Sequence, residues 1–151
     1  MGVALLDSSA LIGYLDADDD LHADAVETIE GLVRGGFSLA ISAVSWAELL
    51  NGVRQGHHDE RVVRGFVSDL GVSILPVDTA VAERAAVLQA QYASSGTRRE
   101  RRRLRTPDAL ILATAAVSDD IEVVVCGDAK WSSVRGLGAE IGPLVSGSSP
   151  G

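Results

Sequence analysis

The chain has 151 residues, enough to bury a hydrophobic core within one domain. Apolar residues make up 46% of it and charged residues 23%, a balance that excludes general disorder. The formal net charge of -8 opposes contact with a polyanion unless cations gather locally or a metal ion mediates.

Val3 to Leu6 reads as a buried strand ending at Asp7, and Ser8 or Ser9 is placed to cap a helix carrying Leu11, Ile12 and Leu15. Asp16 to Asp20 is an acidic loop. Leu21, Ala25, Ile29 and Leu32 then recur at helical spacing to about Arg34, where Gly35-Gly36 stops the helix. Phe37 to Ile41 is a second strand, and Ser42 or Ser45 opens a helix through Trp46, Leu49, Leu50 and Val53. The pattern predicts a helix over Glu60 to Leu70, a strand over Val72 to Val77, and a helix from near Asp78 through Val81, Ala85, Leu88 and Tyr92.

Small residues and arginines from Ser94 to Arg105 interrupt this rhythm. Thr106-Pro107 then starts a helix to about Val117, with Thr106 as cap and Pro107 at the first helical position. Val123 to Val125 is a fourth strand, leading to Gly127-Asp128. Residues 1–145 form the expected single domain, and the polar tail 146–151 is expected to be disordered. Strands alternating with helices imply an α/β fold with a mostly parallel central sheet flanked by helices on both faces. Ligands in such folds bind beyond the carboxyl ends of the strands, where Asp7 and Asp128 are placed to meet.

Cys126 is the single cysteine, so an intrachain disulfide and a cysteine zinc cluster are excluded, in keeping with a reducing compartment. The apolar start is too short for a signal peptide, and no run approaches the roughly 20 residues of a membrane helix. A cytoplasmic chain without a membrane partner is expected.

Four acids stand at strand ends or helix starts: Asp7, Glu48, Asp108 and Asp128. Each has an innocent explanation. Asp7 can cap a helix, Glu48 stands at capping-box spacing from Ser45, Asp108 suits the positive end of a helix, and Asp128 suits a turn. Brought together without a cation, four carboxylates repel and some must stay protonated. A divalent ion such as Mg²⁺ or Mn²⁺, which prefers oxygen ligands, removes that conflict and is the usual agent of metal-assisted phosphodiester cleavage.

The segments Leu5-Leu6-Asp7-Ser8-Ser9-Ala10-Leu11, Ile41-Ser42-Ala43-Val44-Ser45-Trp46-Ala47-Glu48-Leu49-Leu50-Asn51-Gly52 and Thr106-Pro107-Asp108-Ala109-Leu110-Ile111 resemble PIN-domain nucleases, above all VapC-type toxins of bacterial toxin–antitoxin modules. The likeness runs from Val3 to about Gly142. It implies a Mg²⁺- or Mn²⁺-dependent endoribonuclease with Asp7, Glu48, Asp108 and Asp128 as catalytic metal ligands and Ser9 as the hydroxyl supporting the first acid. It also implies RNA as substrate, a VapB-type antitoxin as partner, and a homodimer. Within this fold the alternative is a housekeeping RNA-processing nuclease; outside catalysis it is a metal- or RNA-binding module. An Asp-based phosphatase fits less well, because its Asp-x-Asp motif meets Ser9 here. The chain departs from the family near its fourth acid, with Cys126 in place of a hydroxyl residue and Lys130 in place of an acid, while Trp131 keeps the usual aromatic.

Arg98, Arg99, Arg101, Arg102, Arg103 and Arg105 lead directly into Asp108. Such a run is either a solvated loop or a set of cations holding an RNA backbone at the rim of the site. Asp16, Asp18, Asp20 and Glu27 have calcium-loop spacing, but Leu21 occupies the position that demands glycine. His22, His57 and His58 show no metal-ligand spacing.

Overall fold

The computed structural model describes residues 2–96, 103–127, 131, 134 and 136–144. In chain order these form β1 (Val3–Leu6), α1 (Ser8–Leu15), α2 (His22–Arg34), β2 (Ser38–Ser42), α3 (Ala43–Arg54), α4 (Glu60–Asp69), β3 (Ser73–Leu75), α5 (Thr79–Ser94), α6 (Thr106–Ala116), β4 (Ile121–Cys126) and β5 (Glu140–Pro143). The expected tail, 146–151, lies outside the described residues, as do Asp128, Lys130, Arg98, Arg99, Arg101 and Arg102.

All five strands pair in parallel, in the order β3-β2-β1-β4-β5. The α/β architecture expected from the alternating pattern is the one observed. Alternation of side chains along each strand divides the core into two layers. Leu5 and Val124 face α5 and α6 and join Val81, Ala85, Leu88, Ile111 and Leu112. Leu6, Ile41 and Val125 face the other way, against Leu11 of α1, Ile29 of α2, Leu49 of α3, and Val63 and Phe66 of α4. Leu5 and Leu6 are both fully buried, each worth about 1.5–3 kcal/mol of transfer free energy. Trp131 is buried in the α5–α6 layer, as expected.

The order of the strands fixes where a ligand can sit. From β1 the chain steps outward to β2 and β3, then returns through α5 and α6 to place β4 on the other side of β1. The carboxyl ends of β1 and β4 therefore flank the point where strand order reverses, the usual crevice of such sheets.

Several local expectations need correction. The third strand spans only Ser73–Leu75, whereas Val72 to Val77 was expected. The fourth is longer than Val123 to Val125, and β5 had no counterpart in the pattern. Glu140–Pro143 carries no alternation of polar and apolar residues, and it is a strand because β4 offers it a partner, with Val125 opposite Gly142. Pro143 is tolerated because β5 is an edge strand.

Candidate active site

Asp7 is the first residue past β1 and caps α1, its Oδ1 accepting the Ser8 N–H at 2.7 Å. The cap is thus Asp7 rather than Ser8 or Ser9, because Asp7 keeps the extended backbone (φ -74, ψ 158) that a capping residue needs. Ser9, released from capping, donates its hydroxyl to Asp7 Oδ2 at 2.6 Å and accepts the Gly127 N–H at 2.8 Å. The Asp7 N–H donates to Val125 O at 2.8 Å. With 1% of its surface exposed, Asp7 is a buried acid held from several directions at the switch point of the sheet.

Glu48 lies on α3, whose cap is Ser42, with Oγ accepting the Val44 N–H at 3.1 Å. A capping box from Ser42 would fall on Ser45, so capping does not account for Glu48. Ser45 itself is fully buried and accepts a hydrogen bond from the Ser8 hydroxyl at 3.1 Å, which ties the start of α3 to the start of α1. Glu48 follows one turn later and is exposed.

Asp108 is half-buried in the first turn of α6. The cap of this helix is Arg105, not Thr106, and it makes no side-chain capping bond. Thr106 is already helical, and its hydroxyl accepts from Gln89 Nε2 at 3.3 Å instead. Pro107 in the first turn loses nothing by lacking an N–H, since that donor has no partner within the helix.

The fold brings Glu48 and Asp108 to one open cleft of about 540 Å³, lined also by Val44, Ala47, Asn51, Arg105 and Pro107. Arg103 and Arg105 are both exposed, and of these two Arg105 lines the cleft. The sequence pattern marked Ser8 and Ser45 only as helix caps and Gly127 only as a strand end, and it gave Asn51 no role in the site. A signal existed for Asn51, which stands one helical turn beyond Glu48 and hence on the same face of α3.

Among the described residues, no group of three or more His, Cys, Asp or Glu side chains is gathered tightly enough to hold a metal ion. The donor chemistry still distinguishes between metals. Asp7, Glu48 and Asp108 offer hard oxygen ligands, while Cys126 is buried in the α5–α6 layer. His57 and His58 line a separate hollow with Asp16 and Asp59, and His22 Nδ1 pairs with Gly13 O at 2.8 Å. Oxygen donors of this kind are the ligands that Mg²⁺ or Mn²⁺ prefers, whereas zinc favours nitrogen and sulfur. In the acidic loop, Asp16 and Asp19 accept the Asp18 and Leu21 N–H groups, so these acids serve turns there.

Residues 4–137 match the family model of the PIN domain. None of the curated proteins matches the chain. Among solved structures, a toxin–antitoxin complex from Klebsiella pneumoniae is 26% identical, with a TM-score of 0.65 over 88% of this chain and 93% of that one. VapBC-5 from Mycobacterium tuberculosis is also 26% identical, with a TM-score of 0.57 over 95% and 98%. VapC20 from the same organism, 18% identical with a TM-score of 0.60 over 88% and 97%, shares the fold.

Proposed function

The chain belongs to the PIN-domain family, and from that premise we propose that it is a Mg²⁺- or Mn²⁺-dependent endoribonuclease serving as the toxin of a toxin–antitoxin pair. The observation that carries this reading is the cleft where Glu48 and Asp108 meet beside Arg105.

In this reading Asp7, Glu48 and Asp108, with Asp128 as the fourth acid, hold the cation. Held by these acids, a divalent ion would supply polarisation of the phosphodiester and a lowered pKa for an attacking water. The protein's own part is positioning. Ser8 N–H and Ser9 Oγ fix the two oxygens of Asp7. The Ser8–Ser45 bond fixes α3, and with it Glu48, relative to Asp7. Arg105 supplies a cation for a phosphate of the RNA strand at the mouth of the cleft.

An antitoxin partner is supported by the two 26% identical structures, both of toxin–antitoxin systems. The groove between α1 and α4, lined by Tyr14, Leu15, Val62, Phe66 and Leu70 with Arg61 and Asp69 beside them, suits the apolar face of an amphipathic segment. Burial, reinforced by the charge of Glu30, raises the Tyr14 hydroxyl above its ordinary pKa. RNA as substrate is favoured by VapC20, described as a toxin that cleaves the sarcin–ricin loop. A homodimer belongs to the same reading.

The decisive experiment incubates RNA with the wild-type protein and with Asp7→Asn, with Mn²⁺, with Mg²⁺ and with chelator. Cleavage that needs the metal and disappears in the variant supports the reading; cleavage that Asp7→Asn leaves unchanged overturns it. Expression in a bacterial host separates a toxin from a housekeeping nuclease, since a toxin arrests growth until its small partner is co-expressed.

A further inference from the structure

We infer that Asn51 reads a nucleobase next to the cut phosphate, so that the cleft selects its cleavage site by sequence. This rests on the nuclease reading above and adds a specificity-determining residue to it. Asn51 is exposed and lines the cleft together with Glu48, Asp108 and Arg105. It sits one turn along α3 from Glu48, so a strand cut near the acids must pass its amide.

The cleft walls have two characters. Arg105 offers a cation suited to a phosphate. Val44, Ala47 and Pro107 offer small apolar surfaces, which suit the flat face of a base and do nothing for a phosphate. Asn51 is therefore set against a base edge. Gln55 Nε2 donates to Asn51 Oδ1 at 3.3 Å, one turn further on, and steadies the amide. Oδ1 keeps a second lone pair and Nδ2 keeps its donors. An asparagine in that state can donate and accept side by side, the pairing that suits adenine at N7 and N6. Among the described residues no aromatic side chain lines the cleft, so aromatic stacking, which treats all bases alike, is not what this wall offers.

The test maps the ends of fragments cut from a random-sequence single-stranded RNA pool by the wild type, Asn51→Ala and Asn51→Asp, with Asp108→Asn as the inactive control. The wild type is expected to favour one base at a position adjoining the cut. Asn51→Ala should flatten that preference by roughly 5- to 150-fold, the discrimination of a bidentate side chain–base pair, while keeping metal-dependent cleavage. Asn51→Asp should shift the preference toward bases that present donors. A preference unchanged in both variants, or a uniform loss of rate at every site, overturns the inference and leaves the nuclease reading standing. If wild type and Asp108→Asn yield the same fragments, the nuclease reading fails, and this inference fails with it.

Discussion

The Ser9 hydroxyl accepts the Gly127 N–H at 2.8 Å, joining the first turn of α1 to the residue just past β4. The same hydroxyl donates to Asp7 at 2.6 Å, so a single oxygen ties the buried acid after β1 to the chain leading into Asp128. Removing it in Ser9→Ala leaves a partly buried N–H unmet and Asp7 short of one donor, a cost of about 1–3 kcal/mol. Urea denaturation should register that loss, and RNA cleavage should fall further than the loss of folded protein explains. Ser9→Thr keeps the oxygen and should retain most activity; a Ser9→Ala protein with wild-type cleavage would show that the bridge is irrelevant to the site.

Gly127 is required by close approach. A Cβ there would lie 2.7 Å from Ser9 Oγ, 2.9 Å from Ser9 Cβ and 2.9 Å from Leu21 Cδ1. Gly127→Ala must push α1 away from the end of β4, at about 1–3 kcal/mol for overpacking. The expected outcome is a lowered midpoint in denaturant together with weak cleavage. Gly56→Ala serves as a contrast, because nothing lies within 4 Å of its added Cβ while its φ of +79 strains the backbone alone. That variant should lose stability without a matching loss of activity per folded molecule.

Metal should stabilise the protein through its acids. A ligand that binds only the folded state adds about 2.7 kcal/mol at a hundred times its Kd. Thermal melts of the wild type should therefore rise as Mn²⁺ or Mg²⁺ is added and fall back with chelator. Glu48→Gln and Asp108→Asn should remove most of that rise and lower cleavage by at least about 100-fold, yet fold normally, since both acids line an open cleft. Metal-induced shifts that persist undiminished in both variants would place the ion elsewhere.

Arg105 should act through the phosphate backbone. Arg105→Ala is expected to raise KM with little change in kcat, and to reduce the slope of log affinity against log salt by about one contact. An unaltered salt dependence would assign this arginine to plain solvation. Its exposure argues that fold stability will stay within about 0.5 kcal/mol of wild type.

Much of this protein was legible in residue order alone. Val3 to Leu6 announces a strand because four apolar residues end abruptly at an acid, and Val81, Ala85, Leu88 and Tyr92 announce a helix by spacing. Both signals are local, arising from the twofold and 3.6-fold repeats of side-chain direction, and the structure follows them. The acids themselves stood out by position, each beside an apolar stretch. Capping was harder, since neighbouring Asp7, Ser8 and Ser9 can all accept an N–H. Backbone angles at the end of β1 chose among them.

Tertiary structure alone decided the relationships that local repeats do not encode. It placed Glu48 and Asp108 in one cleft, put Asn51 beside them, and made Glu140–Pro143 a strand by giving it β4 as a partner. The physical reason is that periodicity specifies which face of an element is apolar, whereas the packing of those faces on a sheet of order β3-β2-β1-β4-β5 specifies which distant residues meet. Ser9 and Gly127, 118 positions apart in sequence and in hydrogen-bond contact, are products of that packing.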